Sequence, residues 1–350
     1  MVIAARTTAF LNSIFVNRIM VDDKQKVRAL GLCSGGLDSM LAALVLRDQG
    51  IEVHWVCFET PFFNAAKAVR AAEALNIPLT VKNITGRYVP MLKNPPCGYG
   101  QHMNPCMDCH ALMFNIAGGV MKERGYDFLF SGEVVGQRPM SQTKPSLRYV
   151  EKHSGFDGYI LRPLSALLLP ETEPEKAGLV DRSRLLGLSG RSRKPQMELA
   201  RRFGVTDYPS PAGGCLLTDK GFSQRLRDLF AHQETCTEND FLLLKYGRHF
   251  RLSPTAKLVV GRTRQDNQDI LDHSTGLNAT VLKIRQFPGP TGLLIGEPGE
   301  GALLLGAGIC LGYSKAPDDK PAAVTVAAGK QQQTVTMMAV PPDKVRHLLI

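Results

Sequence analysis

The sequence predicts an α/β protein: a parallel-sheet domain followed by a second, smaller β-rich domain. Three observations carry that prediction. An apolar run (Val27, Ala29, Leu30, Leu32) leads into Ser34-Gly35-Gly36-Leu37-Asp38-Ser39 and then into a helical pattern of Met40, Leu41, Leu44, Val45 and Leu46. Apolar runs and helical patterns keep alternating through Ser131, as in parallel sheets covered by helices on both faces. Beyond about Phe230 the alternation stops, and short apolar runs separated by Pro and Gly follow.

In chain order, Glu52–Glu59 reads as a second, largely buried strand, Phe63–Leu75 as an Ala-rich helix and Leu79–Asn83 as a short third strand. Pro95–His110 is too rich in Gly and Pro for regular structure until Cys106, and Met107–Arg124 follows as a helix. Tyr126–Ser131 is a buried strand. In the β-rich part the strand candidates are Leu258–Val260, Gly292–Ile295, Ala302–Leu305 and Ala323–Val326. There is no internal repeat. The division expected is an extension over 1–26, a catalytic domain over 27–225 and a smaller domain over 226–350.

At 350 residues the chain can bury a sizeable core. Its 44% hydrophobic and 21% charged fractions are those of a globular protein in water. A net charge of +10 favours a polyanionic partner, RNA or DNA ahead of a membrane. No apolar run approaches the roughly 18 residues of a membrane span, so a cytoplasmic location is expected. The first twenty residues resemble a weak targeting peptide broken by Asn12, Ser13 and Asn17; an over-long start ahead of Met20 is the preferred reading.

Strand, glycine-rich turn and helix together present backbone N–H groups to a phosphate at a helix N-terminus. Gly35 and Gly36 let the backbone approach an anion, Ser34 and Ser39 add hydroxyl donors, and Asp38 can hold Mg²⁺ or cap the helix. An ordinary capped β–α turn would explain a bare SGG equally well. Ligands of parallel sheets bind beyond the carboxyl ends of the strands. Gly132, Glu133 and Gln137 stand at another such end, although a polar surface loop has the same composition.

The 8 cysteines are unevenly placed, which suggests metal or redox chemistry over a disulfide scaffold. Cys106-Met107-Asp108-Cys109 has a spacing that lets two thiolates reach one metal or each other. At a helix start, the dipole is expected to lower their pKa values. Half of a zinc site (completed by His102, His110 or Cys97), a redox pair and coincidence stay open. Cys33, Cys57, Cys236 and Cys310 lie in or near apolar segments and read as small buried hydrophobes. Arg182–Arg202 carries seven basic residues against few acids; it is either a solvated helix face or a set of phosphate contacts.

The string SGGLDS resembles the PP-loop of the N-type (adenine nucleotide alpha hydrolase-like) ATP pyrophosphatases. SGGLDS, NPCMDC, SGEVVGQRPMSQT and ILRPLSAL, in that order, resemble the catalytic domain of ThiI-type tRNA 4-thiouridine synthases. LSGRSRKPQMELARRFGV and SPAGGCLLT extend the likeness toward residue 220. YGRHFRL, KLVVGRTRQDN and ICLGYSKAP resemble, more loosely, the NFACT-R-like RNA-binding domain.

The resemblance implies ATP and Mg²⁺ at Ser34, Gly35, Gly36, Asp38, Ser39, Gly132, Glu133 and Gln137. It implies tRNA as partner, held in part by Arg191, Arg193, Lys194, Arg248, Arg251 and Arg262. The reaction implied is adenylation of a uridine carbonyl and replacement of its oxygen by sulfur, supplied by a cysteine desulfurase or sulfide. Other PP-loop thiolases resemble the chain in a CxxC pair plus one distant cysteine, implying a [4Fe–4S] cluster on Cys106, Cys109 and Cys215; a persulfide resolved as a disulfide is the competing mechanism. The THUMP and rhodanese-like regions of the full-length enzymes have no counterpart here, so tRNA docking and sulfur delivery are expected to differ. A homodimer is compatible with the chain. An amide-forming PP-loop ligase and a non-catalytic RNA-binding protein with structural zinc remain as alternatives.

Overall fold

The computed structural model describes residues 26–210 and 215–350. The expectations for the N-terminal extension and for the middle of SPAGGCLLT fall outside the described residues. In chain order come β1 (Arg28–Leu32), α1 (Leu37–Asp48), β2 (Glu52–Glu59), α2 (Ala66–Leu75), β3 (Leu79–Asn83), α3 (Thr85–Lys93), α4 (Cys106–Arg124), β4 (Phe128–Ser131), α5 (Lys144–Ser154), β5 (Ile160–Leu161), α6 (Glu173–Lys176) and α7 (Lys194–Arg202). Then follow α8 (Lys220–His232), α9 (Glu238–Leu243), β6 (Arg248–Ser253), β7 (Ala256–Val260), α10 (Arg264–Asp272), β8 (Ala279–Ile284), β9 (Thr291–Gly296), α11 (Glu300–Gly312), β10 (Ala322–Ala328) and β11 (Gln331–Met337).

The first sheet has the order β3-β2-β1-β4-β5, with every pairing parallel. Its interior strands β1, β2 and β4 bury residues on both faces because helices cover both. Ala29 of β1, Trp55 of β2 and Phe130 of β4 face a core shared with α1, α2 and α7. The alternate residues Leu30, Val56 and Leu129 face a core shared with α3, α4 and α8. Phe241 and Leu244, in and just after α9, close that second core.

α2 begins three residues later than its apolar pattern suggests. Thr60 and Phe63 close a tight turn on each other, and the Glu59 carboxylate accepts the Ala65 amide at 2.9 Å. These bonds hold the chain out of the helix until Ala66.

The second sheet is antiparallel throughout, in the order β11-β10-β8-β9-β7-β6. Ala302–Leu305, expected as a strand, lies instead in α11. The apolar run continues through Leu311, with Gly306 to Leu311 buried, which is too long for one strand. Its glycines are packing positions: Gly308 and Gly312 sit directly against Val340. Two further helices, α9 and α10, break the expected all-strand character of this region. Among the described residues no helix is long and apolar enough to cross a membrane.

Candidate active site

The loop between β1 and α1 lies at the carboxyl end of the central strand β1. The N-cap of α1 is Gly36, and no side chain caps the helix, so its first-turn amides remain available to a ligand. Ser39 turns inward and donates its hydroxyl to the Gly36 carbonyl at 2.7 Å. Cys33 has a role that its apolar context hid: its sulfur accepts the Gly35 amide at 3.3 Å. Burial pushes this thiol up to about 11, so it acts as a neutral acceptor. Gly35 has φ +70, and a Cβ there would lie 2.2 Å from the Lys67 backbone; only glycine suits the position.

Gly132 follows β4 and presses on the same helix start. A Cβ on it would lie 2.4 Å from the Asp38 carbonyl carbon and 2.5 Å from the Ser39 nitrogen. The Asp38 carboxylate accepts the Gln137 amide at 2.9 Å through Oδ2. Gln137 in turn accepts Gln196 Nε2 at 3.2 Å, which brings the N-terminus of α7 to the loop. Arg193 and Lys194 open α7, and Arg191 precedes them. The loop end is further tied by the Gly190 amide on the Val135 carbonyl at 2.8 Å.

Asp38 Oδ1, Gln142 Oε1, Arg193 Nε and Gln196 Oε1 are buried without a partner among the described residues. Three of these four belong to the chain of residues just described. Buried polar groups are ordinarily satisfied, so orphaned acceptors and a donor around an uncapped helix start fit an absent phosphate ligand and its cation. Sequence reading missed Gln196, which is 1% exposed; its signal was the motif around it, not its own type.

Next to Gly132, Glu133 is buried and holds the start of α4 through a carboxylate at the centre of an ionic network. Its Oε1 lies 2.8 Å from His110 Nδ1, and its Oε2 accepts Arg162 Nε at 2.9 Å and the Ser131 hydroxyl at 3.0 Å. Arg162, itself 2% exposed, also pairs with Glu151. The Arg162 guanidinium and the His110 contact outweigh the burial of Glu133 and hold its carboxyl down at about 2.

α4 presents Cys106 and Cys109, and Cys215 arrives from the segment after α7. The Met103 amide donates to the Leu217 carbonyl at 3.1 Å, tying the two segments together. The three thiols are close enough to act on one another electrostatically. The helix dipole does not lower their pKa values as expected from the sequence. Burial wins: it raises Cys106 and Cys215 and drives Cys109 up to about 12. It is opposed by the Arg138 guanidinium and the Asn104 side chain at Cys106, by the Leu217 backbone and Arg138 at Cys215, and by the Tyr88 hydroxyl at Cys109.

Among the described residues, no three His, Cys, Asp or Glu side chains are arranged to hold a single metal ion, so they form no zinc site with the CxxC pair. Cys97 is exposed; its amide donates to Asp108 at 2.8 Å. All eight cysteines are free thiols.

The expected RNA contacts separate into two groups. Arg191 and Lys194 are exposed beside the loop. In the second domain, Arg248 lies 4.5 Å over the Tyr313 ring, Arg251 is bidentate with Asp228 at 3.0 and 2.6 Å, and Arg262 pairs with Asp266 at 2.9 Å. Within the basic Arg182–Arg202 stretch, Arg182 is bound to Glu175 and Arg184 to Asp48. Those two serve the fold.

The fold and this geometry define an α/β protein with an anion-receptive loop beside clustered thiols, joined to an antiparallel β domain. Residues 25–168 match the family model of the thiamine biosynthesis protein (ThiI), and residues 247–348 match that of the NFACT protein RNA binding domain. A tRNA sulfurtransferase of Desulfurococcus amylolyticus is 29% identical over 170 residues, covering 46% of this chain and 33% of that protein. The chain therefore spans about a third of the curated relative it matches.

Among solved structures, a predicted subunit of tRNA methyltransferase from Methanocaldococcus jannaschii aligns over 50% of this chain and 76% of its own, with 17% identity and a TM-score of 0.33. NMN synthetase from Francisella tularensis aligns over 54% of this chain and 90% of its own, with 15% identity and a TM-score of 0.26.

Proposed function

We propose that the protein is an ATP-dependent tRNA sulfurtransferase, which adenylates a uridine carbonyl and replaces its oxygen with sulfur. One observation supports this above the rest. Gly132 packs on the uncapped start of α1, while its neighbour Glu133 holds α4, which carries the CxxC thiols. An activating site and a sulfur-bearing site thus share one strand end.

In this reading the α1 amides and the hydroxyl of Ser34 bind the ATP phosphates. Asp38, steadied by Gln137, faces the magnesium ion that would neutralise them. The uridine oxygen attacks the α-phosphorus, an O–P bond forms, and pyrophosphate leaves. Charge that develops on the phosphoryl oxygens meets fixed amide donors, which need no reorganisation. Adenylation turns a poor leaving oxygen into a good one. Sulfide held beside Cys106, Cys109 and Cys215 then attacks the activated carbon: a C–S bond forms, the C–O bond breaks with AMP as leaving group, and the sulfur gives up its proton.

The raised thiol pKa values mean that the resting cysteines are protonated; Arg138 favours the anions of Cys106 and Cys215, and the Tyr88 hydroxyl that of Cys109. Cys106, Cys109 and Cys215 are also the thiols that would hold a [4Fe–4S] cluster, which would supply a place for sulfide to bind. Arg191, Arg193, Lys194 and Arg248 are the contacts expected for tRNA phosphates. Arg251 and Arg262 would reach RNA only by sharing their carboxylate partners.

The test is a reaction of purified protein with tRNA, ATP, Mg²⁺ and sulfide. AMP and a thionucleoside should form in equal amounts, and Cys109→Ala should abolish the thionucleoside. AMP formation with incorporation of ammonia in place of sulfur would overturn the proposal.

A further inference from the structure

A second cavity lies away from the loop, between α8–α9 and the face of the antiparallel sheet, with a volume of about 290 Å³. Its principal feature is Lys257. β7 is an interior strand whose Ala256, Leu258 and Val260 enter the core under α11. The strand's period of two turns Lys257 to the opposite face, into the cavity. The lysine side chain is 7% exposed, and its nearest carboxylate oxygen, on Asp228, is 3.7 Å away, beyond hydrogen-bond length.

Neither acid nearby comes within hydrogen-bond distance of it. Asp228 gives both oxygens to Arg251, at 3.0 and 2.6 Å. Asp240 uses Oδ2 for the Thr237 amide and hydroxyl, both at 2.7 Å, and for Gln233 at 3.1 Å. The Lys257 ammonium therefore has no acceptor within hydrogen-bond distance among the described residues. A buried cation left without acceptors is strongly destabilising. Burial already draws the amine down to about 8, against the pull of Asp228.

The walls fit an organic anion. Leu229, Leu277 and Ile295 provide apolar surface, and Gln233 and Asn278 provide neutral hydrogen-bonding groups. The cavity is at the lower end of the ~300–1,000 Å³ range of small-molecule sites. Two cations, Lys257 and Arg251, face one shared carboxylate. The second oxygen of Asp240 would repel an anion but would accept from a ligand hydroxyl or ring N–H.

We propose that this cavity binds a phosphate monoester of mononucleotide size, with the phosphate on Lys257 flanked by Arg251 and a hydroxyl or N–H donor on Asp240. Because the lining comes from α8–α9 and from the sheet, the ligand stabilises the junction between the two halves. Its source is either a free nucleotide or the 5′-phosphorylated end of an RNA.

Calorimetric titration of the full chain tests this, with AMP, adenosine, and a short RNA oligonucleotide with and without a 5′-phosphate as probes. AMP or the phosphorylated RNA should show a saturable component that Lys257→Met weakens at least ten-fold and Asp38→Ala leaves in place. Binding of AMP alone assigns the free nucleotide; binding of the phosphorylated RNA alone assigns the RNA end. Unchanged titrations in Lys257→Met, or equal binding of adenosine, would overturn the proposal. Methionine is an apolar near-isostere, so the variant should fold. A Lys257→Gln variant provides the same decision independently.

Discussion

Gly132→Ala separates a nucleotide site built on close backbone approach from a loop that merely looks like one. The new Cβ would lie 2.4 Å from the Asp38 carbonyl carbon and 2.5 Å from both its oxygen and the Ser39 nitrogen. All three are backbone atoms, so no side chain can rotate away. The strand end and the helix start must part by about 1 Å to restore carbon contacts of ~3.5 Å. Such overpacking costs about 1–3 kcal/mol, or about 2–4 °C in Tm for each kcal/mol in a domain of this size. Function should suffer more, because a displacement of about 1 Å in a reacting group can cost about 10²-fold.

ATP binding by calorimetry and pyrophosphate release should fall by one to two orders of magnitude (on the order of 10–100-fold), while the protein stays folded at 25 °C. Gly119→Ala is the control: nothing lies within 4 Å of its added Cβ, and it sits inside α4. Alanine there should stabilise by about 0.5–1 kcal/mol. Wild-type ATP affinity in Gly132→Ala would refute the placement of the nucleotide at this loop.

Three further outcomes follow from the same structure. Asp38→Asn should weaken Mg²⁺-ATP binding at least about ten-fold, and should hold or raise Tm because it removes an unpaired buried carboxylate oxygen; a fall in Tm with unchanged binding would contradict this. The Glu133 carboxyl is depressed to about 2 in the fold, so its contribution is present above its unfolded pKa of about 4.3 and is lost as pH falls toward 2. Unfolding free energies from urea titrations should therefore drop more steeply between pH 5 and pH 3 in wild type than in Glu133→Gln, by about 1–3 kcal/mol; parallel curves would count against the network. Gly312→Ala places a Cβ 1.9 Å from the Val340 carbonyl oxygen. It should destabilise the antiparallel domain by about 1–3 kcal/mol while ATP binding stays at the wild-type value, read by hydrogen exchange in β10 and β11 beside calorimetry.

Much of the first domain was legible because its strands are short and apolar and its helices strongly patterned. β2 and β3 match the expected spans residue for residue; β2 stands out as a parallel strand largely buried on both faces, whereas β3 is a half-exposed edge strand. The second domain was less legible. Local pattern alone could not separate strand from helix in the apolar run of α11, where glycines read as turns but are contacts with Val340. β11, with its Gln331–Gln333 tract, is largely exposed and carries little hydrophobic signal.

Within the candidate site, the residues proposed from sequence were those with distinctive chemistry: the loop, Glu133, Gln137 and the three thiols. Gln196, Arg162 and Tyr88 were not proposed, because their importance comes from where the fold puts them. The direction of the thiol pKa shift was misjudged for the same reason. A helix dipole can be read from sequence, but the burial that outweighs it at Cys109 cannot.

The most direct test of the central claim is mass spectrometry of the nucleosides from a tRNA transcript incubated with the protein, ATP, Mg²⁺ and labelled sulfide. A labelled thiouridine, formed mole for mole with AMP and absent with Cys109→Ala, is the predicted result. ATP hydrolysis with no labelled nucleoside, under conditions where the tRNA is bound, would contradict it.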